Sequence, residues 1–501
     1  MRLLLVLLLA LSTLSGAEES SNVALAECTG DPASRQFLID PAHPGARDDG
    51  TGSGVQPWKT LAAVSRRDLR AGDLIRLRGG IYRGRMRPKV DGLVIEGCPG
   101  EDVTVTGAFP MRTEWTQRED TWTAGTYRPF PGEAEDDRNL VVVNGSLLMP
   151  ARDGALSSGS YRIQRDEHGS ATLVLNAGQD VDVPSALVEA GIHDVLFGPA
   201  NSTRCEDLPR DVPGHTLRNL TFVHAANPAQ TGAVCLWGVG ARAEGLRILE
   251  TNSRGLENWG SEHVIRDVIA SRNGHLGLGG GCVNCAFEDI TADENNWRGH
   301  DPFWEAGGGK WVETSGTVFR RMTARNNEGP GIWLDGDSHD NLIEGAVAEG
   351  NVVSGIQIEL GSDRNRVVDS RVAETRRDGW SASGVLVMAA GETVLEGNTV
   401  VDNQGSGVWV RVDSRRSTGG ISLYGNRFVG NATRPGDHDY QVRIDLDVAP
   451  GGTPPPVHLN DNVLDETRPR HVAAMRQDRE SRVERFETGQ ALIDRLAARK
   501  D

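Results

Sequence analysis

The chain has 501 residues, with 53 Lys and Arg against 70 Asp and Glu and a formal net charge of −17. So acidic a balance argues against a nucleic-acid ligand and against binding to an anionic membrane surface. The 61 Gly residues and the aromatic content of 5% favour short strands and tight turns over a helical protein.

The amino terminus has the pattern of a secretory signal peptide. Met1 and Arg2 precede an apolar run over residues 3–11, and small residues follow as far as Ala17. This run is too short to span a membrane, which takes about 20 apolar residues. We predict a signal peptide over residues 1–17, with Ala26 as an alternative end, and hence a secreted or periplasmic protein without a membrane span.

Six cysteines follow the predicted signal peptide: Cys28, Cys98, Cys205, Cys235, Cys282 and Cys285. In an oxidising compartment an even count indicates disulfides, although the sequence does not determine their pairing. The "CVNC" motif at 282–285 lacks a second Cys or His pair at zinc-binding spacing. It is therefore interpreted as a local disulfide or as two core thiols.

Residues 35–111 predict an amino-terminal cap and the first strands. A short amphipathic helix over residues 58–64 precedes "GDLIRLRGGIY", which has the pattern of a strand pair. Residues 112–191 carry "VVVNGSLL" and "ATLVLNAG" and fit no repeat. They predict a small β insertion made of hairpins.

A repeat of about 22–24 residues, with insertions, occupies the region 192–465. Glycines open short tetrads in which apolar residues alternate, and five of these glycines follow an asparagine by four residues. The glycines are Gly255, Gly277, Gly299, Gly331, Gly355, Gly384 and Gly407, and the asparagines are Asn273, Asn295, Asn327, Asn351 and Asn403. Since one such unit cannot bury its own apolar face, the units must stack. The asparagines are expected to satisfy one another along the stack. The charged tail at 466–501 predicts a helix.

This glycine and asparagine pattern, together with "DDGTGSGVQPWKTLAAV" near residue 50, resembles the pectate-lyase-like superfamily over roughly residues 35–465. The resemblance implies an all-β fold, the right-handed parallel β-helix, here with a small β insertion and a carboxy-terminal helical tail. The superfamily includes polysaccharide lyases, glycoside hydrolases, uronate epimerases and adhesins, so the fold alone does not select an activity.

Aligned tetrads predict which side chains lie side by side. The tetrads "KWVE" (310–313), "IWLD" (332–335) and "IQIE" (356–359) place Trp311, Trp333 and Gln357 in one outward column. A second column contains Glu313, Asp335 and Glu359, about 4.8 Å apart on successive coils. Aromatic rings next to carboxylates suggest a sugar-binding cleft, with Trp304 in the insertion 297–308 as a wall residue.

Three stacked carboxylates cannot all stay ionised and unpaired at low cost. Glu313, Asp335, Asp337 and Glu359 offer hard oxygen ligands suited to Ca²⁺, which is the expected cofactor. In this alignment Lys310 takes an inward position, unless the preceding insertion shifts the register. Lys310, Arg298 and His339 are the candidates for a catalytic base.

These features favour an enzyme acting on an acidic polysaccharide, with β-elimination of a uronate polymer as the leading hypothesis. The cation would neutralise the uronate carboxylate, and the base would remove the neighbouring proton. A glycoside hydrolase or uronate epimerase is one alternative, because carboxylates on neighbouring coils have a suitable spacing. A non-catalytic carbohydrate-binding or structural β-helix is another. The sequence does not reveal the sugar, the linkage or the oligomeric state.

Overall fold

The structure, a computed structural model, describes residue 28 and residues 35–125, 127, 138–151, 154–168, 170–199, 204–379, 381–412, 415, 420–434, 439–446, 455–467, 472–476 and 483–498. The predicted signal peptide lies outside these residues. No helix among the described residues is long and apolar enough to cross a membrane.

Most of the chain winds into coils, and each full coil contributes a strand to three parallel sheets in turn. Sheet 1 pairs strands whose middle residues point inward, such as Ile75, Ile95 and Leu217. Its strands are Gln36–Ile39, Leu74–Leu77, Val94–Gly97, Thr216–Arg218, Arg242–Leu249, Val264–Ser271, Ala286–Thr291, Val318–Arg320, Leu342–Glu344, Arg366–Val368, Thr393–Glu396, Ile421–Tyr424 and Val457–Asn460.

Sheet 2 continues from sheet 1 after a bend, and the three longest strands of sheet 1 run into it. Its own strands are Gly80–Arg83, Val103–Thr106, Thr221–Val223, Thr323–Arg325, Val347–Glu349, Arg371–Ala373, Thr399–Val401, Arg427–Val429 and Val463–Leu464. Sheet 3 comprises Gly232–Val239, Arg254–Ser261, Leu276–Val283, Gly307–Trp311, Ile332–Leu334, Ser354–Glu359, Ser383–Met388, Val408–Val412, Val442–Leu446 and Ala473–Arg476, with Glu484–Phe486 added antiparallel.

Stacked amides join the coils at the bend before sheet 3, as the asparagine column predicts. Asn295 Nδ2 donates to Asn327 Oδ1 (3.0 Å), and Asn327 Nδ2 donates to Asn351 Oδ1 (2.8 Å). Each of these amides also donates to a backbone carbonyl of the core, for example Asn327 to Ala292. Because buried amides must find partners, this ladder fixes the register of one coil on the next.

A ladder of alternating charge runs along the outer face of sheet 1. The paired residues are, in order, Arg76, Glu96, Arg218, Glu244, Arg266, Glu288, Arg320 and Glu344. Ion pairs join most of these neighbours, such as Arg218 with Glu244 (2.7 Å). Glu96, Glu244 and Glu288 thus each lie between two guanidinium groups, and Glu344 ends the ladder beside Arg320. This order avoids repulsion between directly opposed like charges.

Two sheets, one antiparallel and one mixed, interrupt the coils and form the β insertion that the sequence predicts. One contains Ala108–Pro110, Val141–Val143, Ser146–Leu147 and Val188–Gly191, and the other Trp115–Arg118, Thr121–Ala124, Met149–Pro150, Ser160–Arg165 and Ala171–Asn176. They enclose a small core of their own around Tyr161 and Leu173.

In the part of the chain that the structure describes, the helical segments with given bounds are short: the 3₁₀ turns Leu61–Ser65 and Cys205–Asp207 and the α-helix Gly489–Ala497. The predicted helical tail is therefore shorter than expected, because Ala473–Arg476 extends sheet 3. Ala473 and Met475 in that strand continue the inward columns of Val442 and Ile444.

All six cysteines are paired, as Cys28–Cys98, Cys205–Cys235 and Cys282–Cys285. The "CVNC" motif is thus a local disulfide, which is one of the two alternatives that the sequence left open.

Candidate active site

On the coil of Lys310, the observed register is shifted by one residue from the predicted register. The outward column that contains Trp333 and Gln357 therefore contains Lys310 in place of Trp311. Lys310 pairs with Trp333, and Trp333 pairs with Gln357, so Lys310 points outward. Trp311 pairs instead with Leu334 and points into the core. Its ring is fully buried, with its centroid 4.7 Å from that of Phe319. Trp311 is therefore a core residue, and its predicted role in sugar binding is wrong.

The same shift removes Glu313 from the predicted carboxylate column. Val312 follows Trp311 and takes the position beside Asp335, while Glu313 is exposed on the following turn. Its Oε2 lies 3.4 Å from Arg210 Nη1. Asp335 and Glu359 remain neighbours on adjacent coils, since the residues before them, Leu334 and Ile358, are paired.

Lys310 is held by three contacts that suit an ammonium group. Its Nζ lies 2.9 Å from Asp335 Oδ2, donates to the carbonyl of Trp304 (2.5 Å) and lies 3.9 Å from the centroid of the Trp333 ring. Only 1% of Trp333 is exposed, so this ring is not an open platform for a sugar. The ammonium covers the face on which a sugar was expected to rest.

Asp335 and Glu359 are adjacent carboxylates in different surroundings. Asp335 accepts the backbone N–H of Gly336 at Oδ1 (2.8 Å) and the ammonium of Lys310 at Oδ2. Glu359 is buried and accepts from Gln357 Nε2 (2.7 Å) and from Arg415 Nη1 (2.8 Å). Burial and then the Asp335 charge raise the pKa of Glu359 above its ordinary value, although Arg415 and Gln357 oppose this.

A second ionic group lies next to Lys310 on the preceding coils. The buried guanidinium of Arg254 pairs with Glu305 and with Glu257, whose Oε1 also accepts from Trp259 Nε1 (2.8 Å). Burial acts to raise the pKa of Glu305, but the charges of Arg254, His275 and Lys310 and the hydrogen bond from Gln230 together outweigh it, and the pKa lies below its ordinary value. Gly279 lies between these residues and Lys310, and a Cβ there would lie 3.4 Å from the Arg254 guanidinium carbon.

The four carboxylates expected to bind Ca²⁺ do not fit a calcium site. Among the described residues, Glu313, Asp335, Asp337 and Glu359 supply no three ligand atoms that lie within 4.8 Å of one another. Lys310 and Arg415 already pair with Asp335 and Glu359, and Glu313 lies with Arg210.

The described fold agrees with comparisons with known proteins. The family model "Right handed beta helix region" matches residues 232–428. The solved structure "The complex structure of XylC with xylose" is 14% identical, with a TM-score of 0.63, and the match covers 85% of this chain and 86% of that chain. The chain is a parallel β-helix protein.

Two further solved structures resemble this β-helix protein more weakly. A glycoside hydrolase is 13% identical over 86% of this chain and 97% of that chain, with a TM-score of 0.47. The Azotobacter vinelandii mannuronan C-5 epimerase AlgE4 A-module is 13% identical over 78% of this chain and 86% of that chain, with a TM-score of 0.43. No curated protein matches the sequence.

The remaining predicted site residues of the β-helix protein lie in different places. Trp304 is 62% exposed, and its carbonyl contacts Lys310 at the candidate site. Arg298 stacks on Trp297 (4.6 Å) and donates to the carbonyl of Asn139. Asp337 and His339 belong to the turn between sheets 3 and 1, where His339 Nδ1 lies 2.8 Å from Asp340 Oδ2. Neither Arg298 nor His339 makes a described contact with Lys310, Asp335 or Glu359.

Sequence reasoning missed Arg254 and Glu257 as part of this site. A signal was present, because Glu257 follows Gly255 by two residues, as Gln357 follows Gly355. The same alignment extended toward the amino terminus would have placed Glu257 in the column of Lys310 and Trp333, where the strand pairing puts it.

Proposed function

We propose that the protein is a secreted or periplasmic glycoside hydrolase that retains the anomeric configuration. The supporting observation is the pair Asp335 and Glu359 on adjacent coils, with the pKa of Glu359 raised by burial and by Asp335. Adjacent strands are about 4.8 Å apart, and retaining enzymes hold their two carboxyl groups about 5–5.5 Å apart.

The two residues have separate roles in this reaction. The Asp335 carboxylate attacks the anomeric carbon and forms a glycosyl ester, while the bond from that carbon to the leaving oxygen breaks. Protonated Glu359 gives its proton to the leaving oxygen. Glu359, now ionised, then removes a proton from water, whose oxygen displaces Asp335 and releases the sugar. This chemistry requires an acid with a raised pKa beside a second, hydrogen-bonded carboxylate.

Lys310 acts as a positioning residue in this proposal. Its ammonium fixes the orientation of Asp335 and offsets the negative charge between the two carboxylates. The ion pair, the hydrogen bond and the cation–π contact of Lys310 do not suit the predicted role of a base, because a base needs a lone pair directed at the substrate. The lyase and epimerase hypotheses therefore rank below hydrolysis. XylC, which shares the fold, is described with xylose, so a protein of this fold can hold a neutral sugar.

The test is turnover of a panel of aryl glycosides and uronate polymers, with reducing-end release and the unsaturated-uronate absorbance followed together. We expect reducing ends without unsaturated product, and loss of at least about 10³-fold in rate for Asp335→Asn and Glu359→Gln. The matched control is Asp340→Asn, an exposed carboxylate paired with Arg364, which should keep full activity.

Proton NMR of the first product assigns the stereochemistry. Retention supports the proposal, and inversion overturns the nucleophilic role of Asp335. A rise of unsaturated uronate would restore the lyase hypothesis. Glycan binding without turnover on the whole panel would support the non-catalytic alternative.

A further inference from the structure

The outer face of sheet 3 is covered on the amino-terminal side of Asp335 by the segment 297–306. This segment is inserted between the ladder residue Asn295 and the strand Gly307–Trp311. The carbonyl of Trp304 binds Lys310, and Glu305 pairs with Arg254 two coils earlier. The segment therefore crosses the outer face of sheet 3, along which a long glycan would have to lie on the stack of coils.

The covering segment is anchored along its length. The side chain of Asn296 makes two hydrogen bonds with the backbone of His300. Its Oδ1 accepts the His300 N–H (2.8 Å), and its Nδ2 donates to the His300 carbonyl (2.9 Å). Gln230 Nε2 donates to Glu305 Oε2 (2.8 Å), and the rings of His275 and His300 lie 4.4 Å apart. These contacts attach the covering segment to the coils, so that it forms a wall on the outer face of sheet 3.

The same face is also covered on the carboxy-terminal side. Leu386, Met388 and Trp409 point outward from the next two coils, yet all three are buried and form a separate apolar cluster. Between the two covered stretches, the side chains of Lys310 and Asp335 keep 10% and 14% of their surface exposed. A polymer lying along the sheet would meet obstacles on both sides of the proposed catalytic pair.

We infer that this site is a pocket for the terminal monosaccharide of a neutral glycan, and that Trp304 at its mouth binds the next ring. This inference rests on the proposed function and restricts it to exo-action, the release of single sugars from a chain end. Trp304 is a large exposed aromatic side chain whose backbone is fixed by Lys310. A flat ring held in this way can stack on a pyranose with little loss of conformational entropy.

A neutral sugar follows from the charges at the site. Three described cations near the carboxylate pair already contact carboxylates: Arg254 contacts Glu257 and Glu305, Lys310 contacts Asp335, and Arg415 contacts Glu359. A uronate would have to take Lys310 from Asp335 or Arg254 from Glu257 and Glu305, which leaves a carboxylate without its partner at a site with little exposure to water.

Binding is measured by calorimetry on Glu359→Gln with the mono-, di- and hexasaccharides of xylose, glucose and galacturonic acid. We expect a neutral series to bind, with affinity rising from mono- to disaccharide and then remaining constant. Trp304→Ala should weaken the disaccharide about fivefold and leave the monosaccharide unchanged. Trp122→Ala, a partly buried aromatic in the β insertion, is the control and should change neither affinity.

Affinity that keeps rising to the hexasaccharide, preference for the galacturonate series, or no binding of any sugar would each overturn the inference. The products that the unsubstituted protein releases from the hexasaccharide distinguish failure of this inference from failure of the proposed function. Monosaccharide as the first product supports both, whereas early tri- and tetrasaccharides keep hydrolysis and overturn exo-action. The expected binding pattern without any turnover by the unsubstituted protein would keep the pocket and overturn the hydrolase.

Discussion

Lys310 and Trp333 face each other on adjacent coils, with the ammonium 3.9 Å from the centroid of the indole ring. This contact and the bond to Asp335 (2.9 Å) make one arrangement of cation, ring and carboxylate on the outer face of sheet 3. An aromatic ring and a carboxylate together stabilise an ammonium at a site with little access to water. These contacts offset the cost of burying the Lys310 ammonium, and the ammonium in turn fixes the orientation of Asp335.

Replacement of Lys310 separates its positioning role from that of a base. Lys310→Arg keeps a cation beside Asp335 and should keep activity within about tenfold, while Lys310→Met should lose about 10²-fold or more. Steady-state kinetics on the best aryl glycoside measure both variants. Equal loss in the arginine variant would show that a lysine lone pair is required, as the original base hypothesis demands.

Gln357 should set the alkaline limit of the reaction. It donates to Glu359 Oε2 (2.7 Å), and a donor to the ionised carboxylate lowers the pKa of that group. Gln357→Met removes this donor, so the pKa of Glu359 should rise and the alkaline limb of kcat/KM should move to higher pH. A pH–rate profile measures the shift. Ser354→Ala, which loses the bond from Ser354 Oγ to Gln357 Oε1 (2.9 Å), should act weakly in the same direction. A shift to lower pH would contradict this role.

Removal of divalent metal ions should leave the protein unchanged. Of the four carboxylates that the sequence predicts to bind Ca²⁺, Asp335 pairs with Lys310, Glu359 with Arg415 and Glu313 with Arg210. We expect the same unfolding temperature and the same rate in chelator and in millimolar Ca²⁺. A calcium-dependent rise in either quantity would mean that a cation displaces these ion pairs.

Gly308 should tolerate no side chain. A Cβ at this position would lie 2.3 Å from the carbonyl oxygen of Gly331 and 3.0 Å from Asn327 Nδ2. Gly308→Ala should therefore destabilise the protein by about 3 kcal/mol, as for other overpacked sites. Gly54→Ala, where a Cβ meets nothing within 4 Å, is the control and should stay within about 0.5 kcal/mol. Calorimetric unfolding compares the two, and an equal effect would exclude close coil approach as the cause.

His215 should make the protein acid-sensitive. Burial lowers the pKa of His215 to about 3, and its Nδ1 accepts the N–H of Leu93 (3.2 Å). Since this pKa lies below the ordinary 6.5, the stability is fully present above pH 6.5 and is lost as the pH falls toward 3. The full loss is on the order of 5 kcal/mol.

Urea unfolding at pH 7 and pH 4 measures this effect. His215→Gln should lose less stability on acidification than the unsubstituted protein, whereas His339→Gln, at an exposed turn, should lose as much. Identical pH dependence in all three proteins would assign the acid sensitivity to other groups.

The sequence predicts the coil stack well because its signals are local and repeated. Asn327 and Gly331 lie four residues apart, as do Asn351 and Gly355, and this spacing fixes the register of each coil. The prediction of register from this spacing fails at the coil of Lys310, because the insertion separates Asn295 from the repeat glycine. Three glycines, Gly307 to Gly309, then offer three alignments. Strand pairing selects Gly308, as Gly309 pairs with Ile332.

The candidate site could be predicted only in part for the same reason. Asp335 and Glu359 lie on coils with an intact spacing, and their adjacency follows from the repeat. Glu313 and Trp311 lie after the ambiguous glycines, and a shift of one residue exchanges the inward and outward faces. The ion pair of Arg254 with Glu305 joins residues 51 positions apart through a loop, and no periodic signal predicts such a contact.

The charge on the outer face of sheet 1 changes sign from one coil to the next, so the number of coils between two charged residues decides whether they attract or repel. Arg218 and Arg266 are each separated from the other by a coil that carries Glu244. Loss of that single coil would set two guanidinium groups against each other, whereas loss of two successive coils would bring Arg218 beside Glu288 and restore attraction. A β-helix with this ladder can therefore lengthen by duplication, or shorten by deletion, of two coils at a time. Gain or loss of an odd number of coils brings like charges together and is electrostatically unfavourable.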